Sequence, residues 1–146
     1  MAITTNAIAN SFKKELLEAK HNFTQTSGDQ FKIALYTNSA TLGKSTTSFT
    51  TDHQVSNTGQ YTSGGGKLAI GSQQTAVASS VAIVDFADRS FTGVTLTARG
   101  ALIYNTSNSN TAVAVLDFGG DKTATAGTFT IQFPAFTTSA AILRIS

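Results

Sequence analysis

The feature that most constrains the fold is a series of short runs rich in β-branched and aromatic residues. Within residues 128–133 the order Thr-Phe-Thr-Ile-Gln-Phe alternates polar with large apolar side chains. A period of two is typical of a β-strand with one buried face. Similar runs follow one another at short intervals, separated by Gly, Asn, Asp and Ser clusters that indicate turns. The predicted strands are 31–36, 67–70, 76–86, 91–97, 100–105, 112–118, 128–133 and 141–145, with turns at 88–90, 105–110 and 119–122.

The N-terminal segment carries a helical pattern instead. Apolar residues recur there at spacings of three or four, at Ile8, Phe12, Leu16, Ala19 and Phe23. This spacing places them on one face of a helix over roughly residues 7–22. The two patterns together predict a mainly β fold, an antiparallel β-sandwich or open barrel with an N-terminal α-helix.

A length of 146 residues predicts a single domain. We assign residues 1–27 to the helix and its exit turn, and residues 67–146 to a β core that the strand at 31–37 completes. Residues 38–66 hold few aliphatic residues and many Thr, Ser, Asn and Gly. Long polar segments in compact domains are usually functional or mobile. We therefore predict an extended polar loop or arm at 38–66, with a short strand near 53–55.

Composition excludes several classes of protein. The chain has no Cys, so it can form neither a disulfide framework nor a thiolate metal site. Its apolar runs fall short of the roughly 18 residues that a membrane-spanning helix needs, and no signal-peptide pattern is evident. A net charge of +2 is too small for a nucleic-acid footprint. We expect neither a membrane nor a nucleic acid as a partner.

Hydroxyl side chains take the place of charged ones. The chain has 24 Thr and 15 Ser but only 18 charged residues. One interpretation is that Thr suits a pleated, half-exposed surface. The other is that the strands pack against other chains, because neutral hydroxyl surfaces associate with little charge desolvation and interface cores are poor in charge. The sequence leaves both open.

Few residues could perform catalysis. Asp52 and His53 are adjacent and could orient a general base for one of the Ser, as in a small hydrolase, but no Gly-x-Ser-x-Gly elbow occurs. His21 lies near the end of the predicted helix, where a cation is favourable to the helix dipole. We expect no catalytic, cofactor-binding or metal-binding residue, no cofactor, and a protein that is not an enzyme.

Two further motifs resemble ligand sites only superficially. Residues 63–67 read Ser-Gly-Gly-Gly-Lys, but the spacing of a phosphate-binding loop is absent, so a hairpin or bulge is predicted. Asp117 and Asp121 flank two glycines without the spacing of a calcium loop. We predict a β-turn there.

Several short motifs follow one another over most of the chain. They are Phe12-Lys-Lys-Glu-Leu-Leu-Glu-Ala-Lys-His-Asn-Phe23, Phe31-Lys-Ile-Ala-Leu-Tyr-Thr-Asn-Ser-Ala-Thr-Leu-Gly43, Val55-Ser-Asn-Thr-Gly-Gln-Tyr61, Gly65-Gly-Lys-Leu68, Val84-Asp-Phe86, Ala101-Leu-Ile-Tyr104 and Ala114-Val-Leu-Asp-Phe118. Their order resembles a family of small virion structural proteins of tailed bacteriophages. The resemblance implies a part of the phage particle and no catalytic residues.

Small β-rich virion proteins of this kind commonly act as cement or decoration on the capsid exterior, often as trimers. The resemblance therefore implies a cement protein that stabilises the assembled head by binding the major capsid protein. We expect a homotrimer on the capsid surface of the virion, assembled in the host bacterial cytoplasm. A neck, tail-tube or tail-fibre component stays open. So does a surface receptor- or carbohydrate-binding module that uses Tyr36, Tyr61 or Tyr104.

Six apolar side chains are the predicted interface residues: Phe12, Leu16, Phe23, Phe49, Val55 and Tyr61. The first three lie on the helix and would pack against the β core or a neighbouring subunit. The other three are the few hydrophobic anchors of segment 38–66, which would reach across to capsid or sister subunits. Aromatic side chains are frequent hot spots of such contacts.

Overall fold

The structure is a computed structural model that describes residues 3–146, except for the side chains of residues 71–76 and 78. It is mainly β, with antiparallel sheets and one short N-terminal helix, so the predicted fold class is confirmed. The elements are β1 (Ala7–Ile8), α1 (Asn10–Leu17), β2 (Phe31–Tyr36), β3 (Gly66–Leu68), β4 (Ile70–Ala78), β5 (Val81–Phe86), β6 (Arg89–Asn105), β7 (Thr111–Ile131) and β8 (Leu143–Ile145).

The strands form two antiparallel sheets. One has the order β1-β7-β6-β2-β3, and the other has the order β4-β5-β8. Aromatic rings connect them, because Phe86 of β5 lies 5.8 Å from Phe31 of β2 and 6.5 Å from Phe23, measured between ring centroids. The result is sandwich-like and is not a closed barrel.

The helix is shorter than the predicted span of residues 7–22. At its start, Ala7 and Ile8 pair with β7, and the backbone N–H of Ala9 donates to the carbonyl of Val113. At its end, Ala19 has a φ of +59°, which breaks the helical path. The apolar spacing nevertheless identifies residues that are buried together. Phe23 lies beyond the end of the helix, and its ring packs edge to face against Phe12 with the centroids 6.0 Å apart.

β6 and β7 form one long ribbon. They have 17 and 21 residues and pair from Asn105 opposite Thr111 to Arg89 opposite Ile131. The strands predicted at 91–97 and 100–105 are thus one strand, as are those at 112–118 and 128–133. The turn predicted at 119–122 is wrong, since residues 118–121 bulge within β7 opposite Arg99 alone. A φ of +79° at Gly119 accommodates this bulge.

The strand predicted at 76–86 is instead a hairpin. Ser79 and Ser80 have φ values of +48° and +66° and turn the chain between β4 and β5. Two successive residues of positive φ are typical of a tight hairpin turn. Serine pairs give no such signal in sequence, which is why the turn was not predicted.

Segment 38–66 lies against its own chain in the structure and does not extend from it. The backbone N–H of Val55 donates to the carbonyl of Leu35 at 2.9 Å, and that of Phe49 donates to the carbonyl of Asn110 at 2.9 Å. The short strand predicted near 53–55 reduces to a single bridge between Gln54 and Tyr36. The segment therefore covers sheet edges of the same molecule.

Candidate protein-binding surfaces

An open apolar groove of about 760 Å³ lies between α1 and the three-stranded sheet. Three side chains in its lining are largely exposed: Leu17 on α1 at 91%, Val77 on β4 at 75% and Ile145 on β8 at 59%. They are also the exposed large hydrophobic residues of the described part of the chain. Contiguous exposed apolar side chains mark interaction sites on protein surfaces. We call this feature the apolar groove.

Aromatic packing holds α1 in the orientation that exposes Leu17. Phe12 is buried and contacts both His21, with ring centroids 4.8 Å apart, and Phe23. Phe23 in turn stacks on Phe31 of β2 at 4.6 Å with nearly parallel planes. Because one face of the short helix is fixed in this way, the neighbouring position 17 points away from the core.

A polar cluster lies beneath the same helix. The amide of Asn105 donates to Nδ1 of His21 at 3.0 Å and to Oδ2 of Asp29 at 2.7 Å. Its own oxygen accepts the backbone N–H of Ser107, which fixes the amide orientation. The other ring nitrogen of His21 lies 3.6 Å from Oε2 of Glu15. The cluster therefore connects α1 to β6 through the imidazole of His21.

Burial lowers the pKa of His21 below its ordinary value of 6.5, although the carboxylates of Glu15 and Asp29 act in the opposite direction. The hydrogen bond from Asn105 supports the same direction, because a proton on Nδ1 would face an N–H donor instead of an acceptor. The role expected for His21 is that of a cation at a helix end, whereas its burial disfavours the charged ring.

The exposed face of the β6–β7 ribbon is covered by hydroxyls. Its side chains are Ser90, Thr92, Thr95, Thr97, Thr123, Thr125, Thr128 and Thr130, and all of them are exposed. Two cross-strand pairs hydrogen bond, Ser90 with Thr130 at 2.8 Å and Thr97 with Thr123 at 2.9 Å. Residues 90–98 and 123–130 carry no charged residue. We call this feature the hydroxyl face.

The six predicted interface residues separate into two groups. Phe12, Leu16 and Phe23 all line the apolar groove. Phe49, Val55 and Tyr61 lie elsewhere, and they anchor segment 38–66 to its own sheet. Phe49 stacks on Tyr104 at 4.7 Å, while Val55 and Tyr61 are buried in the core.

The three tyrosines that could have stacked on sugars are all buried. The hydroxyl of Tyr36 donates to the carbonyl of Thr50, and that of Tyr104 donates to the carbonyl of Gly64. Burial raises the pKa of Tyr104 to about 12 and raises the pKa values of Tyr36 and Tyr61 as well. None of the three presents a ring face to a ligand in this structure.

The residues considered for catalysis and for ion binding lie at separate places in the structure. Asp52 and His53 are exposed, and the carbonyl of His53 accepts the backbone N–H of Thr37 at 3.0 Å. Asp117 pairs with Arg99 at 3.0 Å. Across the residues that the structure describes, no three His, Asp or Glu side chains form a group that could hold a metal ion.

The glycine-rich residues 63–67 form a turn packed against β2. Gly65 has a φ of +78°, and a Cβ at this position would lie 1.8 Å from the carbonyl oxygen of Ile33. Glycine is therefore required here for close backbone approach. A turn thus lies where the sequence predicts a hairpin or bulge.

Comparison with protein-family models, curated proteins and solved structures finds no match for this chain. Among the described residues, no helix has the length and apolar character that crossing a bilayer requires.

Leu17, Val77 and Ile145 were not among the predicted interface residues. They come from α1, β4 and β8, which are far apart in sequence. The one local signal is at Leu17, which lies beside the helical stripe and not on it. A single exposed leucine is common on protein surfaces, so this signal alone does not identify the groove.

Proposed function

We propose that this protein is a capsid cement protein of a tailed bacteriophage, which stabilises the assembled head by binding the major capsid protein. The observation that carries the proposal is the apolar groove, in which Leu17, Val77 and Ile145 are exposed together. A groove of this kind is suited to a protein partner and to no particular reaction. The order of the sequence motifs is what favours the phage particle as its setting.

The proposed mechanism follows from mass action. A protein that binds the assembled shell and not its dissociated subunits stabilises that shell, by about 2.7 kcal/mol per site at a free concentration one hundred times the Kd. Repeated copies on a lattice make a modest contact effective. We place the copies on the capsid surface, as homotrimers.

The hydroxyl face supplies a second contact in this proposal. Exposed Thr and Ser can pack against a neighbouring subunit while losing little hydration energy, in contrast to Lys or Glu. The stretches 90–98 and 123–130 are uncharged, and a lack of charge is a property that this face shares with interface centres. The same two surfaces would also serve a neck or tail component, and the location of the copies distinguishes the two roles.

The proposal is tested by co-sedimentation with expanded heads that lack this protein, assembled from the major capsid protein of the same genome. We expect the wild-type chain to sediment with the heads, and Leu17→Ser and Ile145→Ser to lose most of this binding. Both side chains are more than half exposed, so thermal unfolding should be nearly unchanged. Ala87→Ser, at an exposed position outside the groove, is the matched control. A wild-type chain that remains in the supernatant contradicts the proposal.

A further inference from the structure

Two basic residues belong to the lining of the apolar groove. Lys13 of α1 and Arg144 of β8 both line it, and no Asp or Glu belongs to the described lining. Both side chains are exposed. The groove therefore combines an apolar floor with cations contributed by two separate elements.

These cations lack a carboxylate partner within the described part of the chain. The nearby Glu18 is already paired with Lys14 at 3.2 Å and with Lys20 at 2.9 Å. The guanidinium of Arg144 donates to the backbone carbonyl of Ser139, which is neutral. Lys13 makes no ion pair with any described residue. An incoming carboxylate would thus meet two cations whose charge is not compensated.

We propose that the groove takes a short apolar segment of a partner protein that carries Asp or Glu beside its apolar side chains. This inference rests on the proposed function and names the chemistry of the capsid segment that binds. The apolar side chains of the segment would cover Leu17, Val77 and Ile145. Its carboxylates would pair with Lys13 and Arg144, which sets orientation and selectivity more than affinity.

A second copy of this chain is a poorer occupant. A two-fold contact brings the same patch of both subunits together, so the cations of one groove would approach those of the other. The volume of about 760 Å³ lies within the range of pockets that enclose small ligands. It therefore accommodates a few side chains of a segment more readily than the face of a folded domain.

Two synthetic peptides test this inference with the full-length chain. One has a Leu- and Ile-rich centre flanked by Glu, and the other has the same centre flanked by Lys. Methyl NMR signals of Leu17 and Ile145 report whether a peptide occupies the groove, and titration gives its affinity. We expect the acidic peptide to shift both signals and to bind about ten-fold more tightly than the basic one at low salt, with the difference shrinking as salt is added.

Charge variants make the test specific. Lys13→Glu combined with Arg144→Glu should reverse the order of the two peptides, and Lys13→Gln combined with Arg144→Gln should abolish the preference. Lys67→Glu combined with Lys122→Glu, an equal charge change at two exposed positions outside the groove, should keep the wild-type order. Equal affinities, a preference for the basic peptide, or shifts confined to residues outside the groove each overturn the inference. So does the absence of binding by either peptide, or a dimer that Leu17→Ser dissociates.

The outcome separates this inference from the proposed function. If Leu17→Ser abolishes head binding while the peptides show no charge preference, the chemistry of the segment is wrong and the cement role stands. If the acidic peptide binds as expected but heads do not bind the chain, the cement role falls and the selectivity of the groove stands.

Discussion

The hydroxyl of Tyr61 accepts a hydrogen bond of 2.8 Å from the backbone N–H of Leu35 inside β2. Pairing of β2 with β3 ends at Ile33, so a strand partner is no longer present on that side of Leu35. Val55 donates its N–H to the carbonyl of the same residue. Tyr61 and Val55 thus complete the edge of β2 where β3 stops, and they fix segment 38–66 on the sheet.

Removing this hydroxyl should destabilise the fold. Tyr61→Phe leaves the fully buried N–H of Leu35 without its acceptor, which costs about 1–3 kcal/mol in the free energy of unfolding. Urea denaturation measures the change. Thr62→Ala, at the adjacent exposed position, should change stability by less than about 0.5 kcal/mol. If the two substitutions changed the free energy of unfolding equally, the hydrogen bond between Leu35 and Tyr61 would not contribute to stability.

The folded position of segment 38–66 predicts its behaviour before assembly. Because Leu42, Val55 and Tyr61 are buried against the same chain, we expect the isolated subunit to resist limited proteolysis within this segment. Mass spectrometry of the first fragments locates the cleavage sites. Rapid initial cleavage between residues 38 and 66, followed by protection on heads, would instead support an arm that becomes ordered on binding.

The sequence predicts the strands of the ribbon well, but not their continuity. Alternation at 91–97 and 128–133 comes from side chains that each strand buries on one face, which is a local property. The Gly-Gly-Asp at 119–121 resembles a turn because glycine allows one. In the structure β7 stays paired with β6 on both sides of Arg99, so these residues form a bulge instead. The helix ends early, at Leu17, for the same kind of reason, since tertiary packing overrides the local helix propensity.

The apolar groove could be predicted only in part. The helical pattern correctly groups Phe12, Leu16 and Phe23. The exposure of Leu17, however, depends on how the other elements pack around α1, which the pattern does not show. Tyr61 was recognised as an anchor from its type and its polar surroundings. Tyr61 contacts β2 of its own chain and not another subunit. The spacing of residues in the sequence does not show which of these two contacts forms.

The buried His21 predicts a pH dependence of stability. The pKa of His21 is lowered by burial below its ordinary 6.5, so the unfolded chain binds more protons between the folded-state pKa and about 6.5. The free energy of unfolding should therefore fall as pH decreases below about 6.5, and flatten below the folded-state pKa. Glu15, Asp29 and Lys20 are the charged groups that act on His21, and they remain in place in the comparison that follows.

Comparison of wild type with His21→Gln isolates this contribution by urea denaturation at several pH values. The difference between the two proteins should shrink as the pH falls through this window. Burial raises the pKa of Asp85 above its ordinary 3.8, so the stability that its protonated form contributes is lost as the pH rises above that value. This effect has the opposite sign to that of His21, and it is the same in both proteins. His53→Gln, which removes an exposed histidine, is the control. Parallel curves for wild type and His21→Gln would refute the assignment.

A charged residue introduced on the hydroxyl face should leave the stability of the free protein nearly unchanged but weaken its binding to heads. Thr125→Glu and Thr128→Glu place carboxylates on exposed positions, so stability should change by less than about 0.5 kcal/mol. Binding to heads should weaken, because a charge must be dehydrated when the face is covered. Thr26→Glu, on an exposed loop, should bind as wild type. Unchanged binding of both ribbon variants would remove this face from the proposed contact.

Electron cryomicroscopy of whole particles, with the copies of this chain located and counted, tests the cement role most directly. We predict copies distributed over the capsid exterior in contact with the major capsid protein, with the apolar groove and hydroxyl face covered. Copies confined to the neck or tail, or a particle without the chain, would contradict this account.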